Sequence, residues 1–149
     1  MDISEKAPVT TISIEGWVAD WYRALDRHDD ITDVLPYLVD DGLMLRFPEG
    51  VFRGHEGFRQ WYDAVTHRFF DEVHEVRKVT AAPWVNDRAS VQVVVNWQAR
   101  IWDPPAATSS WLGFDAYQTW EVVRGADGRP QLLTYVVNNL QAMPGSAAL

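Results

Sequence analysis

Apolar and polar residues alternate between Ala89 and Ile101: every odd position is apolar, and every even one is polar except Val94. A period of two over that length puts alternate side chains on opposite faces of a strand and does not suit a helix. Val93, Val95 and Trp97 mark its inward face. Trp111 to Arg124 is predicted as the antiparallel partner, reached through the Asp103-Pro104-Pro105-Ala106 loop. Gly125-Ala126-Asp127-Gly128 is a strong hairpin signal, and Gln131 to Leu140 completes the sheet. Phe69 to Ala82 is a further strand with weaker alternation, ended by Pro83.

Upstream the period changes. Ile14, Trp17, Val18, Trp21, Tyr22 and Leu25 recur at spacings of three and four behind Ser13, a good N-cap, which predicts a first helix. A short helix over Ile31 to Leu38 contains Pro36, which a first turn tolerates. Leu43 to Phe47 and Val51 to Arg53 read as strands separated by Pro48-Glu49-Gly50. Phe58, Trp61, Tyr62 and Val65 give a third helix, from His55 or Glu56 to Thr66, one apolar face. This order predicts an α+β domain: a cone-shaped, curved antiparallel β-sheet with about three helices packed on its concave face and a cavity at the open end.

Composition narrows the function. The 149 residues are the length of a single domain, with a core over about 14–140 and loose ends at Met1 to Thr10 and Gln141 to Leu149. A net charge of -8 argues against a nucleic-acid partner, which needs a basic footprint. No apolar run reaches the ~20 residues of a spanning helix, so no membrane partner is expected. The start of the chain lacks a secretory signal pattern, and the cytoplasm is the expected location. With no cysteine there is no thiolate chemistry. No histidine pair has a metal-ligand spacing, so neither metal nor cofactor is predicted. Eight Trp, six Phe and five Tyr suit a core and an oligomer interface, or the walls of an apolar ligand cavity.

Trp21 to Asp29, Leu38-Val39-Asp40-Asp41-Gly42, Phe52 to Phe58 and Asp127-Gly128-Arg129, in that order, resemble the nuclear transport factor 2-like superfamily. It includes steroid isomerases, scytalone dehydratase, limonene epoxide hydrolase and SnoaL-like polyketide cyclases. The resemblance implies a SnoaL-like domain binding a hydrophobic, oxygen-bearing small molecule, with cofactor-independent lyase, isomerase or cyclase activity or, alternatively, a non-catalytic binding or dimerisation role. The tyrosine and two aspartates of steroid isomerases fall at Trp21 (beside Tyr22), Phe47 and Trp120. Phe and Trp cannot act as a base. The aspartate of the cyclases falls at Asn138 or Asn139, whose amides accept no such proton. His74 and Asp26 match the histidine and aspartate of scytalone-dehydratase-like members. The expected catalytic set is therefore His74, Asp26 and Tyr22.

The resemblance also implies which side of the other strands faces inward. On the hairpin partner these are Leu112, Phe114, Ala116, Gln118 and Trp120; on the last strand, Leu133, Tyr135, Val137 and Asn139. The expected ligand-binding set is Trp21, Phe47, Trp61, Trp97, Gln118, Trp120, Tyr135 and Asn139. Gln118, Tyr135 and Asn139 would meet a ligand oxygen or one another. The convex face, with Gln92, Asn96, Gln98, Trp102, Trp111 and Tyr117, suits a homodimer interface. His28 lies among charges, His55 begins a helix and His67 ends one, where a cation complements the helix dipole.

Overall fold

A computed structural model describes residues 13–149. Helix α1 spans Ile14–Asp26, with the Ser13 side chain accepting a hydrogen bond from the Gly16 backbone. Trp17, Val18, Trp21, Tyr22, Ala24 and Leu25 are its buried stripe. The chain leaves α1 through His28 in the left-handed region at φ 53°, with His28 N bonded to Leu25 O and Asp29 N to Ala24 O. That conformation is costly for a residue with a Cβ. The predicted second helix divides into α2, Ile31–Val34, and a 3-10 turn, Leu35–Tyr37, because Pro36 cannot donate to an α-helical ladder. Strands β1 (Met44–Phe47) and β2 (Gly50–Arg53) form a hairpin leading into α3, Gly54–Arg68. Strands β3 (Phe70–Ala81), β4 (Arg88–Ile101), β5 (Ser110–Arg124) and β6 (Pro130–Ala142) come next in the chain.

The six strands form one curved, unclosed sheet in the order β2-β1-β6-β5-β4-β3. All neighbours are antiparallel except β1 and β6, which run parallel with Met44 opposite Thr134, so the sheet is mixed. The helices pack on the concave face. Trp17 meets Trp120 edge to face at 6.0 Å, and Trp21 lies 6.0 Å from Phe58. These rings join Val91, Val93, Val95, Leu45 and Leu132 in the main core. A smaller cluster of Phe69, Ala99, Ile101, Leu112 and Phe114 fills the other end of the sheet. Among the described residues no helix is long and apolar enough to cross a membrane.

Strand β6 departs from strict alternation. Its pairing with β5 slips between Glu121 and Val122, which face Thr134 and Leu132, and again between Tyr117 and Gln118, which face Asn139 and Val137. Each slip inserts one residue and reverses the facing of the residues beyond it. Hence Leu132, not Leu133, is fully buried, and Asn139 is exposed while Leu140 lines the cavity. The expected inward role of Asn139 is corrected accordingly. An Asn139→Ala variant should unfold within about 0.5 kcal/mol of wild type; a larger loss in denaturant titration would contradict its surface placement.

The tail beyond Leu140 is docked, not loose. Met143 N bonds Gly113 O, and Ala147 N bonds Trp111 O. Met143 Sδ accepts from Asn96 Nδ2 at 3.3 Å on the convex face, so Asn96 is only 3% exposed there. Gly113 allows the close approach: a Cβ there would stand 2.6 Å from the Trp111 ring and 2.7 Å from Met143 Sδ. Gly113→Ala should cost about 1–3 kcal/mol through this overlap. Faster proteolysis of the tail is the accompanying readout, and unchanged stability and cleavage would refute the close packing.

Candidate functional site

A cavity of about 90 Å³ opens between α1, α3 and the concave face of the sheet. Phe47, Trp61, Tyr62, Phe69 and Trp97 supply aromatic walls, and Leu25, Val95, Ala116, Val137 and Leu140 the aliphatic ones. Its polar lining includes His74, Glu72, Gln118, Tyr135 and, toward the mouth, Glu49, whose carboxylate accepts from Trp61 Nε1 at 3.2 Å. A volume of this size has room for about six waters.

His74 is held from two directions. On β3 it faces inward, and Asp26 at the end of α1 accepts its backbone N–H at 2.9 Å and meets its Nδ1 at 2.5 Å. A carboxylate only accepts, so Nδ1 carries the hydrogen, and in the neutral imidazole the lone pair is on Nε2. Nε2 has no hydrogen-bond partner among the described residues. The imidazole stacks on Tyr22 at 4.6 Å and lies nearly parallel to Trp97 at 6.1 Å. These contacts fix the ring plane as well as the tautomer.

Gln118 anchors a second polar group. Its Oε1 accepts from Trp120 Nε1 at 2.8 Å and from the Tyr22 hydroxyl at 2.9 Å. Indole N–H is only a donor, so this atom must be the amide oxygen. The one Tyr22 proton is thereby committed, and Tyr135 donates across the 2.8 Å hydroxyl contact to Tyr22. Gln118 Nε2 has no partner among the described residues and remains as a donor on a cavity-lining side chain. Tyr22 itself does not line the cavity; its hydroxyl serves the network and its ring supports His74.

Burial above all, with Tyr135 adding to it, holds the Tyr22 hydroxyl well above the ordinary tyrosine value. Burial does the same for Tyr135. Tyr62, whose hydroxyl donates to Asp29 O, is pushed up to about 12 by burial and then by the charges of Asp29, Glu72 and Asp30. Each folded-state value is raised above that of the unfolded chain. The stabilisation is therefore complete below about pH 10 and is lost as pH rises through the folded values. Urea midpoints should fall steeply above about pH 10, once the unfolded chain ionises while Tyr22 and Tyr135 stay protonated in the fold. A flat profile to about pH 12 would contradict this.

His74, Phe47, Trp61, Trp97, Gln118 and Tyr135 all border the cavity. Trp21 and Trp120 do not: both are fully buried behind it, and Trp21 Nε1 is a buried side-chain polar atom without a partner among the described residues. Asp26 reaches the site only through His74. Glu72 and Leu149 line the cavity without having stood out in the sequence, and His28, which reads there as one charge among several, bonds Glu72 at 2.5 Å. Counting back by two from His74 points to Glu72. His55 bonds Val39 O, and His67 stays near Asp63 on the surface.

No family model matches this sequence, and no curated protein matches it. Solved structures do. A type 2 hexachlorocyclohexane dehydrochlorinase (LinA) superimposes with a TM-score of 0.75 at 13% identity, covering 98% of this chain and 97% of that one. The type 3 enzyme from Novosphingobium barchaimii LL02 gives 0.73 at 15% identity over 98% of both chains. A ketosteroid isomerase-like protein from Erwinia carotovora atroseptica gives 0.65 at 20% identity over 95% of this chain and 98% of that one. At these identities the likeness is one of fold, and it agrees with the helices and the curved, unclosed sheet: the chain has the nuclear transport factor 2-like, SnoaL-like fold.

Proposed function

We propose that this protein is a cofactor-independent lyase or isomerase that removes a proton from carbon in a small, largely apolar, oxygen-bearing ligand. The observation that carries the reading is the double grip of Asp26 on His74, which leaves Nε2 as the ring nitrogen free to act. His74 is the general base. Asp26 orients it and stabilises the imidazolium that forms. Gln118 Nε2 donates to a ligand oxygen on which charge develops. Tyr22 positions both by stacking on one and bonding the other. Phe47, Trp61, Trp97 and Tyr135 hold the flat body of the ligand. The names of the neighbours, a dehydrochlorinase and a ketosteroid isomerase-like protein, lie in the same reaction class.

Nitrobenzisoxazole tests this without knowledge of the natural substrate. Removal of its ring C–H proton forms a nitrile, breaks the N–O bond and releases a coloured phenolate. Saturable turnover that requires His74 is the expected result. A rate no higher than that of buffer, with no ligand raising the melting temperature, would return the chain to the non-catalytic binding or dimerisation role.

The same reading includes a homodimer through the convex face. Trp102 is 51% and Tyr117 37% exposed near that face. Sedimentation should give twice the monomer mass, and Tyr117→Arg should reduce it to one; a monomeric wild type would end this part of the proposal.

A further inference from the structure

Glu72 and His28 form a second carboxylate–imidazole pair with the opposite orientation to the first. In the Asp26–His74 pair the imidazole lines the cavity and the carboxylate stands behind it. In the other pair Glu72 lines the cavity, while His28 lies in a separate cleft with Asp29, Arg59 and Asp63. Glu72 Oε2 meets His28 Nε2 at 2.5 Å, and Glu72 Oε1 accepts from Trp97 Nε1 at 3.0 Å. The Glu72 side chain is 9% exposed and that of His28 28%, so the imidazole is the member nearer to water.

The backbone on both sides of this contact is unusual. His28 has φ 53°, and Asp71, next to Glu72, has φ 52°. Asp71 lies in a bulge where the β3–β4 pairing slips between Phe70 and Val73. Bulges re-aim side chains, and non-glycine residues in the left-handed region cost free energy that the surroundings must offset. Here two such residues bring one carboxylate into the cavity and one imidazole against its back. Glu72 and His74 then share a face of β3, roughly 7 Å apart along the strand.

We propose that Glu72 is the general acid that complements the base His74, and that His28 returns protons to it from the outer cleft. The inference rests on the lyase or isomerase reading above. In an elimination, His74 Nε2 takes the carbon-bound proton, the C–H electron pair becomes the new π bond, and the bond to the leaving oxygen breaks. The Glu72 carboxyl gives that oxygen its proton and is reprotonated by His28, which takes a proton from water. His74 releases its proton to water, and the net change is loss of one neutral molecule from the substrate. The groups facing the pair are Tyr62, Arg59 and Asp63 of α3, Trp97 of β4, His74 of β3, and Asp29. The Asp29 charge is engaged by Arg27 at 2.7 Å.

The test compares benzisoxazole with its chloro and nitro derivatives, whose phenolates leave progressively more easily. Glu72→Gln should lower turnover of the unsubstituted compound at least about tenfold more than that of the nitro compound, because assistance matters most for the poorest leaving group. Glu72→Asp, which keeps the acid, should recover part of the difference. His28→Gln should give the same leaving-group dependence in weaker form. Equal losses on all three compounds would overturn the assignment. Turnover that needs His74 but is indifferent to Glu72 overturns this inference alone. A wild type inert toward the whole series overturns both readings.

Discussion

His74→Ala is expected to lower kcat/KM for nitrobenzisoxazole by a factor of about 10²–10⁴, the usual contribution of a positioned general base. The expectation comes from geometry. Asp26 takes both the backbone N–H and Nδ1 of His74, and Tyr22 covers one face of the ring at 4.6 Å. The imidazole therefore meets a ligand in one tautomer and one plane, with little reorganisation left for the reacting state. Asp26→Asn should also lose a large factor: one of the two accepting oxygens becomes an amide nitrogen that only donates, so either the backbone N–H or Nδ1–H of His74 loses its acceptor, and no imidazolium is stabilised. His67→Ala, on the surface, should change nothing. A His74→Ala rate within twofold of wild type would remove His74 from the chemistry; equal losses in all three variants would indicate damage to the fold instead.

Trp120→Ala should be the most damaging single truncation, costing about 3–5 kcal/mol. The side chain is fully buried, stacks on Tyr135 at 4.8 Å and meets Trp17 edge to face. It also fixes the amide orientation of Gln118. Its removal leaves a void and lets Gln118 turn, so Tyr22 and Tyr135 lose their ordered chain of donors. Trp120→Phe separates the two effects: most of the packing returns, and the missing N–H should cost about 1–3 kcal/mol. Denaturant unfolding measures both. A Trp120→Ala loss below about 1 kcal/mol would mean that this region repacks freely.

Much of the architecture is legible in the sequence because its strongest signals are periodic. Alternation from Ala89 to Ile101 places Val93, Val95 and Trp97 on the inner face, and the spacing from Ile14 to Leu25 produces α1. Asn139 escapes this logic because one inserted residue between Val137 and Asn139 reverses its facing, and such an insertion leaves little trace in an apolar, β-branched stretch. Glu72 is hidden for a related reason: the bulge beside Asp71 weakens the alternation of β3. Trp21 and Trp120 look like ligand-binding rings on paper, since inward on a strand or helix does not distinguish lining a cavity from filling the core behind it. His74 and Asp26 stand out only through a resemblance, as the turn of chain that brings the end of α1 to β3 carries no local motif.

The parallel pairing of β1 with β6 sets an order on how the chain can acquire its structure. Met44 cannot find Thr134 until nearly the whole polypeptide has been made. Strands β3 to β6 can assemble by successive neighbour pairing, whereas the β1–β2 hairpin, at the sheet edge, must wait for a partner distant in sequence. Long-range closure of this kind is slow. During synthesis the first third of the chain, with the apolar stripe of Trp17, Val18, Trp21, Tyr22 and Leu25, would be exposed in an unfinished state, and chaperone dependence in the cell would then track the completion of β6 rather than the stability of the finished domain.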